Sequence, residues 1–70
     1  MSEWPATKAS RVLAALLRNG WSVARSRGSH RLLRHADGRE LVFAFHDGDE
    51  VGPRMLARIA KSTGLRPQDL

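Results

Sequence analysis

The chain has no cysteine, which excludes disulfides and thiolate zinc sites as staples. That composition suits a reducing cytoplasm. Long apolar runs are also missing. The longest, Val12 to Leu17 and Leu41 to Phe45, fall far short of the roughly 20 residues that cross a bilayer. No charged leader followed by an apolar stretch opens the chain, so neither a signal peptide nor a membrane partner is expected. No repeat or low-complexity segment is present. One further absence is informative: between Glu3 and Asp37 there is no acidic residue.

That acid-free stretch holds Lys8, Arg11, Arg18, Arg25, Arg27, Arg31 and Arg34. The net charge is +5, and ten of the twelve basic residues are arginine. Arginine presents a planar fork of donors that matches phosphate bidentately. Such a surface points to nucleic acid. A solvated face that keeps a small protein dissolved is the plainer reading, and charge alone does not separate the two. Asp37, Glu40, Asp47, Asp49 and Glu50 then form an acidic segment, and Arg54, Arg58, Lys61 and Arg66 return the balance to basic. Seventy residues predict one domain over 1–70, with about 1–6 as a flexible N-terminal segment. A chain this short buries only about 60% of its unfolded surface, so the core is thin.

Periodicity gives the elements. Ala9, Val12, Leu13, Leu16 and Leu17 form one apolar stripe at helical spacing, predicting a helix from about Thr7 to Asn19 with Thr7 as its N-cap. Asn19-Gly20 ends it. A first strand is expected over Trp21–Arg27, with Trp21 and Val23 alternating with Ser22 and Ala24. Gly28-Ser29 makes a tight corner into a second strand from His30 to His35 or Ala36. Asp37-Gly38 is a strong hairpin turn, followed by a third strand over Glu40–His46. There Leu41, Phe43 and Phe45 share the better core face. The facing of the second strand stays open, because His30, Leu32 and Arg34 share one side and Arg31, Leu33 and His35 the other. Pro53 opens a last helix whose apolar stripe is Met55, Leu56, Ile59 and Ala60, and Gly64 ends it. The order α-β-β-β-α predicts an α+β fold, with a three-stranded antiparallel sheet and two helices on one face. This is the arrangement of double-stranded-RNA-binding domains.

Gly28-Ser29-His30 is the most informative segment. It delivers a histidine onto a strand inside a positive field, and histidine is the side chain that changes charge near neutral pH. His30 is therefore the candidate catalytic residue. The plainer reading is a structural histidine bonded to backbone. His46 precedes the acidic loop and is a supporting residue or possible general acid, or a strand-end residue bonded to Asp47 or Asp49. His35 is expected at the surface. No HxH or HxxxH spacing links the three, so no metal site and no cofactor is expected. Trp21, Phe43 and Phe45 are expected in the core rather than stacked on bases.

The chain resembles the HicA family of toxins, mRNA interferases of type II toxin–antitoxin systems. The likeness is carried by the amphipathic first helix leading into Asn19-Gly20-Trp21, by Arg25, and by Arg27-Gly28-Ser29-His30, which is similar to the family's central GSH motif. His35 with Asp37-Gly38 resembles its H-P-D-G hairpin, His46 its V-P-x-H segment, and Gly64-Leu65 with Pro67 to Leu70 its ending. Two positions depart: Ala44 replaces the proline before the later histidine, and Arg54-Met55-Leu56 replaces a G-T-L helix opening. The resemblance implies an endoribonuclease that inhibits translation in the cytoplasm, with His30 as catalytic residue, RNA as substrate and a HicB-like antitoxin as partner. The RNA-binding candidates are Arg25, Arg27, Ser29, Arg31, Arg54, Arg58 and Lys61. A non-catalytic RNA-binding module and a basic interaction protein remain as alternatives.

Overall fold

The computed structural model describes residues 3–70. The elements run β1 (Thr7–Lys8), α1 (Ala9–Arg18), β2 (Trp21–Arg27), β3 (His30–His35), β4 (Glu40–Ala44), β5 (Glu50–Val51), α2 (Pro53–Thr63) and a 3₁₀ turn (Pro67–Asp69). Strands β2, β3 and β4 form an antiparallel sheet in that spatial order, and β1 pairs with β5 in a separate two-stranded ribbon. The α-β-β-β-α layout of helices and central sheet is as expected. Strands β1 and β5 are additions to it.

The ribbon changes the start of α1. Thr7 was expected to cap the helix, but it pairs with Val51, and its hydroxyl donates to the Pro5 carbonyl at 2.7 Å. Lys8 occupies the N-cap without a side-chain hydrogen bond. The first helical N–H groups need acceptors, because nothing within the helix can supply them. The acidic loop provides these from its backbone: Ala9 N–H donates to Asp49 O at 2.8 Å and Ser10 N–H to Asp47 O at 3.2 Å. The buried stripe of α1 is also rotated from the expected one. Ala9, Val12, Ala15 and Leu16 are fully buried, Leu13 is half-buried and Leu17 is exposed. In α2, Leu56, Ile59 and Thr63 are buried, while Met55 is left outside. Gly64 ends α2 in the left-handed region, as its position predicts, and Leu65 folds back into the core.

Trp4, within the N-terminal segment, is buried in the core, and Met1 and Ser2 lie outside the described residues. The core joins Trp4, Val12, Leu16, Trp21, Leu33, Phe43, Leu56 and Ile59 between the helices and one sheet face.

The hairpins decide which side chains enter that core. The β3–β4 connection is a three-residue loop over residues 36–38, not a two-residue turn. Gly38 N–H donates to His35 O and His35 N–H to Arg39 O, each at 2.9 Å, and Gly38 has φ 97°. This matches a type I turn followed by a left-handed glycine. Its register pairs Leu33 with Leu41 and Arg31 with Phe43. Arg31, Leu33 and His35 therefore face the helices, and His30, Leu32 and Arg34 face outward. In the β2–β3 hairpin, Arg27 pairs with His30, leaving Gly28 and Ser29 as the loop. Gly28 has φ 59° and Ser29 has no positive φ, the combination a type II′ turn requires.

A Cβ on Gly28 would meet nothing within 4 Å, so only the backbone conformation penalises a substitution there. Gly28→Ala is expected to lower unfolding stability by about 1–2 kcal/mol. Urea titration checks it. A variant as stable as wild type would show that the corner tolerates an ordinary side chain.

Candidate active site

The open sheet face is laid out in three cross-strand rows. Directly paired residues of antiparallel strands project to the same side. The first row is Arg27, His30 and Ala44; the second is Arg25, Leu32 and Val42; the third is Ser22, Arg34 and Glu40. The first two rows depend on an irregularity in β2. Val23 pairs with Leu33 and Arg25 with Leu32, so Ala24 is an extra, unpaired residue. Such a bulge reverses the parity of the strand beyond it. Trp21 and Val23 thus share the helix-facing side, while Arg25 and Arg27 turn outward to join His30. Strict alternation over Trp21–Arg27 would have placed both arginines with Trp21. The signal was present: the core parity of β2 reads Trp21, Val23, Arg25, Arg27, and arginine does not continue a core.

His30 is exposed, and among the described residues nothing hydrogen-bonds its imidazole. The plainer reading, a histidine bonded to backbone, belongs instead to His35. That ring was expected at the surface, yet its side chain is only 21% exposed. Its Nε2 lies 3.1 Å from Asn19 O, and its Nδ1 accepts from Asp37 N–H at 3.2 Å. It packs edge-on against Trp21 with centroids 5.3 Å apart. Gly20 makes room for it, since a Cβ there would lie 2.7 Å from Nε2. His35 ties the end of α1 to the β3–β4 hairpin. His46 lies beyond the end of β4, two residues past Ala44, the partner of His30. Its main chain, not its ring, holds the acidic loop: His46 N–H donates to Asp49 Oδ2, and Asp49 N–H to His46 O, each at 2.9 Å.

The arginines divide into engaged and free. Arg11 and Arg18 reach from α1 to the carbonyls of Leu70 and Asp69 at 3.4 and 2.7 Å. Arg34 pairs with Glu40 at 2.6 Å, and Arg66 with Asp69 at 3.2 Å. Arg39 pairs with Asp37 at 2.8 Å and lies over the Trp21 ring, 5.3 Å from its centroid. Arg31, a phosphate-contact candidate, faces the helices and is bound to Asp47 at 2.9 Å. Among the described residues, Arg25, Arg27, Arg54, Arg58 and Lys61 make no ion pair or side-chain hydrogen bond. Arg25, Arg27, His30, Arg31, Leu32 and Val42 line one depression of about 240 Å³. Arg58 lines a neighbouring groove of about 230 Å³ between β4 and α2, and Val42 borders both. The Ser29 hydroxyl, at the turn, has no partner among the described residues. Trp21 and Phe43 are buried and Phe45 packs on the core, so no aromatic ring belongs to the open face. Among the described residues no three His, Asp or Glu side chains converge as a metal-binding group.

Two carboxylates are held below the ordinary value near 3.8. For Asp37 the main cause is the Arg39 backbone N–H, with further help from the Arg39 guanidinium and from His35. For Asp69 it is the Arg66 side chain, then the Arg66 backbone N–H.

This arrangement defines a class: a small basic α+β domain that presents an unbonded histidine beside two free arginines on an open sheet. The comparison with known families then places it. The family model for the HicA toxin of bacterial toxin–antitoxin systems matches residues 9–65, from the start of α1 through Leu65. The chain belongs to this family, and membership implies an antitoxin partner. Comparison with curated proteins returned no match. Among the described residues no helix is long and apolar enough to cross a membrane.

Depressed carboxylate pKa values stabilise the fold above the ordinary carboxylate range, and that contribution is lost as pH falls through the lower folded values. Thermal stability should therefore decline as pH drops below about 4. Asp37→Asn should be less stable than wild type at pH 7 and should converge on it as pH falls below the ordinary carboxylate range. Parallel melting curves that stay equally spaced across this range would show that Asp37 is not linked to folding.

Proposed function

We propose that this protein is a metal-independent endoribonuclease, an mRNA interferase that acts in the cytoplasm with His30 as its catalytic residue. The observation that carries this reading is the first row of the open face. His30 stands exposed and unbonded there, beside Arg27 and next to Arg25. A histidine held for structure has its ring nitrogens occupied, as His35 does. RNA supplies its own nucleophile, the 2′-hydroxyl. Neutral His30 takes the proton from that hydroxyl, and the 2′-oxygen attacks the adjacent phosphorus. The 5′-oxygen leaves and takes up a proton, from His46 or from water. The products are a 2′,3′-cyclic phosphate and a 5′-hydroxyl end. Positioned acid–base catalysis of this kind contributes about 10²- to 10⁴-fold. Arg25 and Arg27 stabilise the extra negative charge at phosphorus. Ser29, at the turn before His30, is placed to meet the same backbone. Arg31 contributes from the rim of the depression while it holds Asp47. Arg54, Arg58 and Lys61 extend the phosphate path onto α2.

The partner in this reading is a HicB-like antitoxin that covers the open face. A standard interface takes about 800 Å² from each partner. This is roughly a sixth of the 4676 Å² surface of the chain, enough to mask His30 together with Arg25 and Arg27.

His30→Ala is expected to abolish cleavage of single-stranded RNA while retaining RNA affinity and thermal stability. Wild-type cleavage should persist in EDTA and leave cyclic phosphate ends, read by end-labelling. Activity that vanishes with chelator and returns with a divalent ion overturns the mechanism. Equal RNA binding by both proteins with no cleavage by either favours the non-catalytic RNA-binding module.

Salt dependence checks the phosphate path. Replacing Arg25 and Arg27 with glutamine should reduce the slope of log affinity against log salt by about 1.4, near 0.7 for each contact to a single strand. An unchanged slope would move the path to Arg54, Arg58 and Lys61.

A further inference from the structure

The middle row of the open face has a chemistry of its own. Leu32 and Val42 are a direct cross-strand pair, and Val42 is 62% exposed, the highest value among the large hydrophobics of the described residues. They lie side by side on the floor of the depression that His30, Arg25 and Arg27 border. The third row closes the strip with the Arg34–Glu40 ion pair. An aliphatic floor in water gains by being covered, yet phosphate and ribose oxygens gain nothing there. In RNA the flat apolar surfaces are the faces of the bases. Neighbouring rows on a strand lie roughly 7 Å apart, two residues at about 3.4 Å each. A base resting on the middle row is thus about one nucleotide step from His30, with Arg25 and Arg27 alongside its backbone.

We infer that Leu32 and Val42 form a seat for one unstacked nucleobase next to the scissile phosphate, so that the substrate is single-stranded at the point of attack. The inference rests on the ribonuclease reading above. Bases inside a duplex stack on one another and show a protein only their edges, whereas a single strand can lay a face on a platform. The platform here is aliphatic rather than aromatic, because Trp21 and Phe43 are consumed by the core. The floor holds no amide or carboxylate to read base edges, so the seat selects an exposed base rather than a particular sequence.

Position 42 is the place to test it, because its exposure separates binding from folding. The probe is a 2′-O-methyl single-stranded RNA oligonucleotide, which has no free 2′-hydroxyl and is not cut. Val42→Thr keeps the side-chain shape and the strand preference but replaces one methyl of the floor with a hydroxyl. It should bind about fourfold more weakly, the equivalent of one buried methylene at about 0.8 kcal/mol. Val42→Ile should bind at least as tightly as wild type. An abasic oligonucleotide and a duplex should bind all three proteins alike. Melting temperatures of the three should agree, which separates loss of the seat from loss of the fold. If wild type cleaves single-stranded RNA but Val42→Thr matches wild type on the oligonucleotide, the seat is wrong and the ribonuclease reading stands. The strip is then left to a protein partner. If the duplex shows the same dependence on residue 42 as the single strand, the single-strand requirement is overturned. A wild type that neither cuts nor binds RNA removes both.

Discussion

The bulge at Ala24 is the constraint on which the open face depends. A strand carries one parity from end to end unless a residue is left out of its ladder. In β2 the first half must present Trp21 to the helices, where it packs against His35 and lies under Arg39. The second half must keep Arg25 and Arg27 out of that core, since an unpaired buried guanidinium carries a large desolvation cost. One extra residue meets both demands. It keeps the aromatic inside and moves the two cations to the side where the β2–β3 corner delivers His30. Without the bulge, His30 would stand on a face with no free arginine from its neighbouring strand.

Much of this organisation was legible in the chain. The two amphipathic helices, the Gly28-Ser29 corner, the Gly64 stop and the core placement of Phe43 follow from spacing and turn chemistry. The open facing of β3 was not resolvable by alternation, because Leu32 and Leu33 balance one another. It is settled by the loop length over residues 36–38, a property of the hairpin rather than of the strand. The short ribbon of Thr7–Lys8 with Glu50–Val51 also escaped local reasoning. Residues this far apart leave no periodic trace, and Thr7 before a helix has the composition of a cap. The rotation of the α1 stripe toward Ala15 has the same origin: helical spacing fixes a face to within one residue, and tertiary packing selects among the options.

The charge pattern gains meaning only once its partners are known. By sequence, seven bases without an acid suggest one broad positive region. In the fold, Arg11, Arg18, Arg31 and Arg34 are all engaged with carbonyls or carboxylates. Arg11 and Arg18 hold the C-terminal turn against α1, which explains basic residues on a helix face far from the candidate site. The acidic loop has a comparable structural use. Its backbone carbonyls accept the first N–H groups of α1, and Asp47 neutralises Arg31. Among the described residues, what remains free is Lys8, a short strip on β2 and a second on α2. Exposed pairs such as Arg34–Glu40 contribute little to stability. Their larger effect is to remove a cation from the open face and set a carboxylate there.

If the open face binds RNA as proposed, that selection bears on how it would discriminate among polyanions. A uniformly basic surface binds any phosphate chain through counterion release, duplex or single strand alike. On the open sheet face the free charge lies at Arg25 and Arg27, beside a histidine and an aliphatic strip, and Glu40 closes the far end of the sheet. In the proposed reading, phosphate attraction supplies affinity, while geometry across neighbouring rows decides which nucleic acid fits. The corner that projects His30 and the bulge that turns out the arginines act on the same two rows. A change at either one separates charge from imidazole even if the core, built on the opposite face from Leu33, Phe43, Leu16 and Leu56, stays intact.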